Sequence, residues 1–268
     1  MLARQLHSEW MRGRGRPVEK YAGAIVLVLG TLIPIVMMLV SSGKPMMRKS
    51  ALDTLAFPAS LHAARTMATI LGPFWAAVLG ANVVGAEYQY GTWPWLLVRT
   101  SRVRLVLVKI AAMAARVIAL TCAGVFSFAA VAALVCAAVG APLVSASWPT
   151  AAEISIPFIA VAGAMAFAAA IGFTVTIASR SVAFGTLTGA LAQPFFMAIR
   201  FKETASWIPY VHLQNLEERL LTGKPNLFLA SALDFHMSAR ASAGVLAVEL
   251  LVLLAIAYAV FRRQEIVY

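Results

Sequence analysis

Glu249 is a carboxylic acid inside the apolar segment at about 243–261. A carboxylate within a membrane-spanning segment is costly unless it is paired or hydrated, so such residues often bind protons or ions in transport proteins. A second interpretation places Glu249 close enough to the outer surface to reach water or Arg240. The sequence leaves both interpretations open.

A second group of reactive side chains interrupts the apolar pattern in the stretch GAEYQYGTWPWLLVRTSRVRLVLVK, residues 85–109. It combines an acid, two glycines, two tryptophans and several basic residues between long apolar segments. Trp93, Trp95, Leu96 and Leu97 are too apolar for a freely solvated loop, whereas tryptophan suits the boundary between lipid headgroups and hydrocarbon. The pattern predicts a short interfacial helix.

Motifs for several kinds of catalysis are missing from the sequence. It contains no phosphate-binding G-x-x-x-x-G-K-[ST] loop, no H-E-x-x-H metal motif and no G-x-S-x-G nucleophile motif. Cys122 and Cys136 fall in one apolar segment and predict neither a disulfide framework nor a thiolate metal site. We therefore expect no catalytic residues, no metal and no cofactor on this chain, and no ATP hydrolysis by it alone.

The elements that position these side chains follow from composition. The chain has 268 residues, of which 61% are hydrophobic and 12% charged, too few charges to coat a water-soluble globule of this size. A hydrocarbon layer of about 30 Å needs about 20 helical residues. Six segments meet that length, and we predict an all-α integral membrane protein with a single transmembrane domain over 1–268. The predicted spans are about 21–41, 66–86, 116–139, 156–178, 182–200 and 243–261.

The distribution of charge predicts the orientation. With six spans both termini share one side, which would carry 13 of the 22 basic residues and four of the 11 acidic residues. The positive-inside rule makes that side cytoplasmic. We expect a multi-pass protein of the cell membrane, a bacterial cytoplasmic membrane, with the net charge of +11 serving topology and lipid headgroups and no nucleic acid as partner.

Three of the stretches outside the spans have a distinct pattern. Residues 1–20 form a cytoplasmic amphipathic segment, 87–104 a cytoplasmic loop and 201–242 a long outer loop. In the outer loop, YVHLQNLEERLL has Val211, Leu213, Leu216, Leu220 and Leu221 on one helical face, with Gln214, Glu217 and Glu218 elsewhere. We expect this amphipathic helix, together with the apolar run at 226–233, to lie on the outer leaflet or to re-enter it.

Small residues and prolines mark positions inside the spans. Gly185 and Gly189 lie one turn apart, which permits close approach of a neighbouring helix, and a packing role is the preferred interpretation. Pro34, Pro73 and Pro194 each interrupt a span and predict a kink or break.

The 85–109 stretch resembles the cytoplasmic loop of ABC-2 type exporter permeases. The shared pattern is E-x-x-x-G-T, a few apolar residues, S-R and a later lysine. It comprises Glu87, Gly91, Thr92, Leu96, Leu97, Ser101, Arg102 and Lys109. The six predicted spans and the basic N-terminal stretch MLARQLHSEWMR are also similar to that family. One departure is Arg99-Thr100, where relatives often carry a proline before the Ser-Arg pair.

The resemblance implies a half-transporter that lacks its own motor. Its partners would be separate ABC ATP-binding subunits, which hold ATP and Mg²⁺, and a second copy or a related permease. The loop would form a coupling helix seated in a cleft of the ATPase. The positions implied at or near that contact are Glu87, Tyr88, Gly91, Thr92, Arg99 and Arg102.

Three functions remain open from the sequence. The leading one is a permease subunit for ATP-driven export of a hydrophobic or amphipathic substrate, such as a drug, peptide or lipid-like molecule. The second is an ion-coupled secondary transporter that uses Glu249. The third is a non-transporting membrane subunit of a larger complex, and in each case the loop tryptophans and arginines could also anchor the chain to lipid headgroups.

Overall fold

A computed structural model describes residues 17–41, 45–56, 59–143, 150–198, 208–224 and 235–264. Within these ranges all regular structure is helical, without β-strands. In chain order the helices are α1 (Pro17–Ser41), α2 (Pro45–Leu55), α3 (Ala59–Gln89), α4 (Trp93–Arg99), α5 (Arg102–Ala138), α6 (Ala151–Ser179), α7 (Val182–Ala198), α8 (Pro209–Thr222) and α9 (Ala239–Arg263). The prediction of an all-α fold is confirmed for the described residues.

Three described helical stretches are long and apolar enough to cross a membrane. They are Arg102–Ala138, Phe158–Ser179 and Ala239–Arg263. Leu27–Ser41 and Val182–Ala192 are apolar but shorter. The chain thus has the character of a membrane-embedded helical protein, while six crossings stay a prediction.

Helix α5 begins earlier than the predicted span. That span was placed at about 116–139, but the helix begins at Arg102 and has 37 residues. At about 1.5 Å per residue it is about 55 Å long, well beyond a hydrocarbon layer of about 30 Å. The first turns of α5, which include Lys109, therefore extend the helix toward the loop.

Close backbone contacts join α3, α6 and α7 into the centre of the fold. A Cβ atom added at Gly172 would lie 2.7 Å from the carbonyl oxygen of Ala77, and one at Gly189 would lie 2.8 Å from that of Ala168. Gly185 lies equally close to α6, beside Thr176. Gly185 and Gly189 thus lie at a tight helix contact, where any larger residue would meet backbone atoms.

A second apolar cluster lies between α1, α2 and α5. Its buried members include Leu55, Val125, Phe128 and Cys136. Cys136 is buried and both cysteines are free thiols, consistent with their expected packing role. Helices α1 and α3 continue through Pro34 and Pro73 respectively.

Several helix ends that the sequence predicts on the cytoplasmic side of the membrane lie at one end of the helix bundle. We call it the Glu87 end, and it contains the C-terminal ends of α3, α6 and α9 with the N-terminal ends of α5 and α7. Hydrogen bonds there connect Tyr88 to Gln264 and Gln264 to Ile177. The ends of three helices distant in sequence are therefore fixed together.

Helix α8 packs against α6 and α9, away from the Glu87 end. Val211 and Leu213 of its predicted apolar face are buried, but so are Asn215 and Glu217 from the remainder of the helix. Asn215 donates hydrogen bonds to the Met237 carbonyl oxygen and the Ser242 hydroxyl, at 2.8 and 2.9 Å. The burial of Asn215 and Glu217 departs from a division into one apolar and one polar face, and Asn215 pairs with the start of α9. The position of α8 at the outer leaflet stays a prediction. The predicted run at 226–233 and residues 1–16 of the N-terminal segment lie outside the described residues.

Candidate functional site

The connection between α3 and α5 is a tight turn followed by the short helix α4. Gly91 adopts φ +60°, a left-handed conformation that glycine tolerates without steric cost. Thr92 directly precedes α4, although its hydroxyl does not cap the helix, and Pro94 lies in the first turn, where its missing N–H removes no helical hydrogen bond. Ser101 begins α5 by accepting a hydrogen bond from the Arg104 amide at 3.4 Å. A short helix lies where the sequence predicted one.

A buried ion pair fixes the base of this turn. Lys109 Nζ donates to Glu87 Oε1 at 2.7 Å, and the Thr92 hydroxyl donates to Glu87 Oε2. The Thr92 amide also donates to the Glu87 carbonyl oxygen at 3.0 Å. Lys109 is fully buried and Glu87 is 4% exposed. Both carboxylate oxygens are therefore committed to contacts within the chain, which join the end of α3, the turn and α5.

Aromatic packing holds the first residue of α4 against the end of α9. The Trp93 ring lies 5.4 Å from that of Tyr88 and 4.7 Å from that of Phe261, between centroids. Trp93 and Phe261 are both buried. The expectation that Trp93 faces lipid headgroups is wrong in this structure, because its indole fills the core between three helices. Trp95, two residues later, is 73% exposed.

Arg102 caps the C-terminal end of α9. Its Nη1 donates to the carbonyl oxygens of Phe261, Arg262 and Gln264, at 3.3, 2.7 and 3.1 Å. The guanidinium carbon also lies 6.0 Å from the centre of the Phe261 ring, at the limit of a cation–π contact. A helix leaves its last carbonyl groups without internal partners and carries partial negative charge there, so a cation stabilises this end.

Gln264 and Phe261 are members of this site that the sequence did not single out. Gln264 accepts a hydrogen bond from the Tyr88 hydroxyl at 2.6 Å and donates to the Ile177 carbonyl oxygen at 2.5 Å. Burial raises the pKa of Tyr88 to about 12, against the lowering effects of Arg180 and the Gln264 bond. The phenol is thus a neutral donor across the physiological pH range.

The residues that the resemblance implies fall into two groups. Glu87, Tyr88, Thr92 and Arg102 make the internal contacts described above. Gly91 is exposed at the turn, while the Arg99 side chain lies outside the described residues. The loop also exposes three large apolar side chains, those of Tyr90, Trp95 and Val98, which are 77%, 73% and 74% exposed. We call these three residues the α4 face.

Glu249 lies apart from the Glu87 end. It precedes Gln264 by 15 residues, or about 22 Å along a helix. It follows Arg240 by nine residues, about 13 Å along the same helix, so the two do not form a direct ion pair. Among the described residues Glu249 Oε2 is buried without a hydrogen-bond partner. The alternative in which Arg240 neutralises Glu249 is therefore not supported.

A recess between α6, α7 and α8, lined by Phe167, Ile171, Gly189 and Leu213, has a volume of about 30 Å³. That volume holds about one water molecule, too little for a drug or lipid. The described residues contain no group of three or more His, Cys, Asp or Glu side chains able to hold a metal ion.

Comparisons with known proteins add no assignment. No protein-family model matches the chain, and no curated protein sequence matches it.

Proposed function

We propose that the chain is the membrane permease subunit of an ATP-driven exporter, with ATP hydrolysed by separate ATP-binding subunits. The observation that carries this proposal is the short helix α4, which a buried ion pair joins to α3 and α5 and which Arg102 links to α9, while its α4 face stays exposed. Exposed apolar patches of this kind mark interaction sites. The cargo would be a hydrophobic or amphipathic molecule.

The internal contacts explain how such a helix could transmit force. A mobile loop would absorb the movement of a bound motor, whereas a loop joined to packed helices passes it on. Glu87, Lys109 and Thr92 join α4 to α3 and α5, and Trp93 joins it to α9. In this proposal Glu87 and Arg102 support the loop from within, and the α4 face makes the contact with the ATPase.

The remaining features of the proposal follow the charge pattern and the family resemblance. Six spans would place both termini and the Glu87 end in the cytoplasm of a bacterial cell. A second copy of the chain or a related permease would complete the pathway. Basic residues at the Glu87 end, among them Arg180, Arg262 and Arg263, would lie near anionic lipid headgroups.

Photo-crosslinking tests the docking surface directly. A photoreactive phenylalanine analogue is placed at Trp95, at Val98 or at Met47, and the chain is co-expressed with a candidate ABC ATP-binding subunit. Met47 is the matched control because it is 52% exposed on α2, outside the α4 face. We expect adducts with the ATPase from positions 95 and 98 and none from 47. Equal labelling from all three positions, or none from 95 and 98, refutes the proposed docking.

Transport completes the test. Trp95→Asp should abolish ATP-dependent export from reconstituted vesicles, while the variant inserts and purifies normally because the side chain is exposed. The purified chain without its partner should show no ATPase activity. Undiminished export by Trp95→Asp would contradict the proposal.

The unpartnered oxygen of Glu249 favours a second candidate, an ion-coupled transporter. In that case transport would survive ATP depletion, collapse with the proton gradient and be lost in Glu249→Gln. Transport that requires ATP and persists in Glu249→Gln excludes this candidate.

A further inference from the structure

The contacts at the end of α9 go beyond what is needed to place α4 on α3 and α5. Three side chains meet at this end, two from the loop and one from the residue that follows α9: Tyr88, Arg102 and Gln264. We call them the α9 clasp. From these contacts we infer that the α9 clasp makes α9 move with the loop, so that Arg102 and Gln264 are positioning residues for transport. This inference rests on the proposed function only for its link to transport.

Arg102 supplies the strongest part of the clasp. Carbonyl groups at a helix end require partners from outside the helix, and a guanidinium carries several donors and a full charge. One nitrogen of Arg102 lies within 3.3 Å of three such oxygens, those of Phe261, Arg262 and Gln264. Because Arg102 is the first residue of α5, any displacement of the α4–α5 junction is applied directly to α9.

Gln264 extends the connection to two more helices. Its side-chain oxygen accepts from Tyr88 near the end of α3, and its side-chain nitrogen donates to Ile177 near the end of α6. Its backbone oxygen accepts from Arg102. A single glutamine therefore uses three polar atoms to join the last residues of α9 to α3, α5 and α6.

Aromatic packing between the loop and α9 opposes sliding of α9 along the loop. Phe261 is fully buried and lies against Trp93, and Trp93 lies against Tyr88. Packed aromatic rings resist sliding because each displacement opens a gap in a dense core. The polar clasp and the aromatic packing act on the same turn of α9, so the loop and this turn form one body.

The first experiment tests the clasp in the full chain without any ATPase. Spin labels are attached to cysteines placed at Val98 and Arg263, with Cys122 and Cys136 replaced by alanine, in lipid nanodiscs. We expect a single narrow distance distribution that broadens in Arg102→Ala, in Gln264→Ala and in Tyr88→Phe. Tyr88→Phe is the mildest variant because it keeps the ring against Trp93 and removes the hydroxyl. Tyr258→Phe is the matched control, because Tyr258 is a half-buried tyrosine on α9 outside the clasp. This variant should leave the distribution narrow.

Amide hydrogen exchange provides a second measurement on the same proteins. Loss of the Arg102 cap should let the last turn of α9 open more often, with about tenfold faster exchange for the amides of residues 260–264. Arg102→Lys should recover part of the protection, since an ammonium can still bind a carbonyl oxygen. Unchanged distances and unchanged exchange in Arg102→Ala and Gln264→Ala would overturn the inference.

The final experiment adds the ATPase and compares nucleotide-free with ATP-trapped complexes. For this experiment the first label moves from Val98 on the α4 face to the exposed Val103 of α5. Its distance to Arg263 should stay constant in the parent and change between states in Gln264→Ala, with fewer substrate molecules moved per ATP hydrolysed. A parent distance that changes as much as in the variant would refute joint movement. If no ATPase docks, the proposed function fails while the measurements on the isolated chain still decide whether the clasp exists.

Discussion

Replacing Lys109 with methionine gives the most direct test of the buried ion pair. The substitution keeps the length and apolar part of the side chain but leaves the Glu87 carboxylate without its charged partner. Lys109 is fully buried, and its Nζ lies 2.7 Å from Glu87 Oε1. Thr92 would remain as a hydrogen-bond donor to the other oxygen.

The expected cost follows from the burial of both groups. Removing one member of a buried ion pair destabilises a protein by about 3–5 kcal/mol, because the other charge stays buried without compensation. A change of 1 kcal/mol shifts the melting temperature of a domain somewhat smaller than this one by about 2–4 °C. Lys109→Met should therefore lower the melting temperature by an amount on the order of 10 °C.

The assay is thermal unfolding of purified protein in detergent, followed by size-exclusion chromatography of the heated samples. Lys49→Met is the matched control, because Lys49 is exposed on α2 and its loss should change stability by less than about 0.5 kcal/mol. The double variant Glu87→Gln/Lys109→Met should regain most of the loss, since a neutral amide can still accept from Thr92. Equal melting of Lys109→Met and Lys49→Met, or a double variant as unstable as Lys109→Met, would refute the reasoning.

Three further predictions concern the same region and the helix core. Burial raises the pKa of Tyr88 to about 12, above the tyrosine value of about 10 in an unfolded chain. The stabilising effect of the Tyr88 hydroxyl is therefore complete below pH 10 and is lost between pH 10 and 12. The melting-temperature difference between the parent and Tyr88→Phe should shrink over that range. Gly189→Ala should destabilise by about 1–3 kcal/mol, because the added Cβ would lie 2.8 Å from the Ala168 carbonyl oxygen. Trp93→Ala should cost about 3–5 kcal/mol through loss of a buried aromatic side chain, measured by the same thermal assay.

Each of these predictions has a control in the chain. A pH-independent difference between the parent and Tyr88→Phe would show that the hydroxyl does not titrate as expected. Gly244→Ala on α9 matches Gly189→Ala, since a Cβ there meets nothing within 4 Å; equal destabilisation of both would contradict the close contact. Trp95→Ala matches Trp93→Ala, and equal losses would mean that burial does not separate the two tryptophans.

Local patterns predicted the helical class, the short helix after Gly91 and the small residues at a helix contact. Each of these depends on neighbours in sequence: apolar length, a turn with glycine and proline, or two glycines one turn apart. Because the physical cause of each feature lies within a few residues, each can be predicted from the sequence alone.

The partners of the loop side chains could not be predicted in the same way. Lys109 ends the predicted interruption at 85–109, before a span expected at about 116–139, yet it lies inside α5 and pairs with Glu87, 22 residues earlier. Arg102 and Phe261 are 159 residues apart. The sequence pattern does not show which distant helix end lies beside a given arginine, because that position depends on how all the helices pack.

The Arg102 contact also sets the order in which the protein can be assembled. Arg102 and Trp93 leave the ribosome about 160 residues before Phe261, so during synthesis the loop has no α9 to pack against. Contacts between such distant residues form late, after the intervening chain has been placed. A chain that stops before α9 would carry an unfinished loop, with the Trp93 indole uncovered. The packing of α9 against the loop is thus a late step of folding, after which the α4 face is held in its final shape.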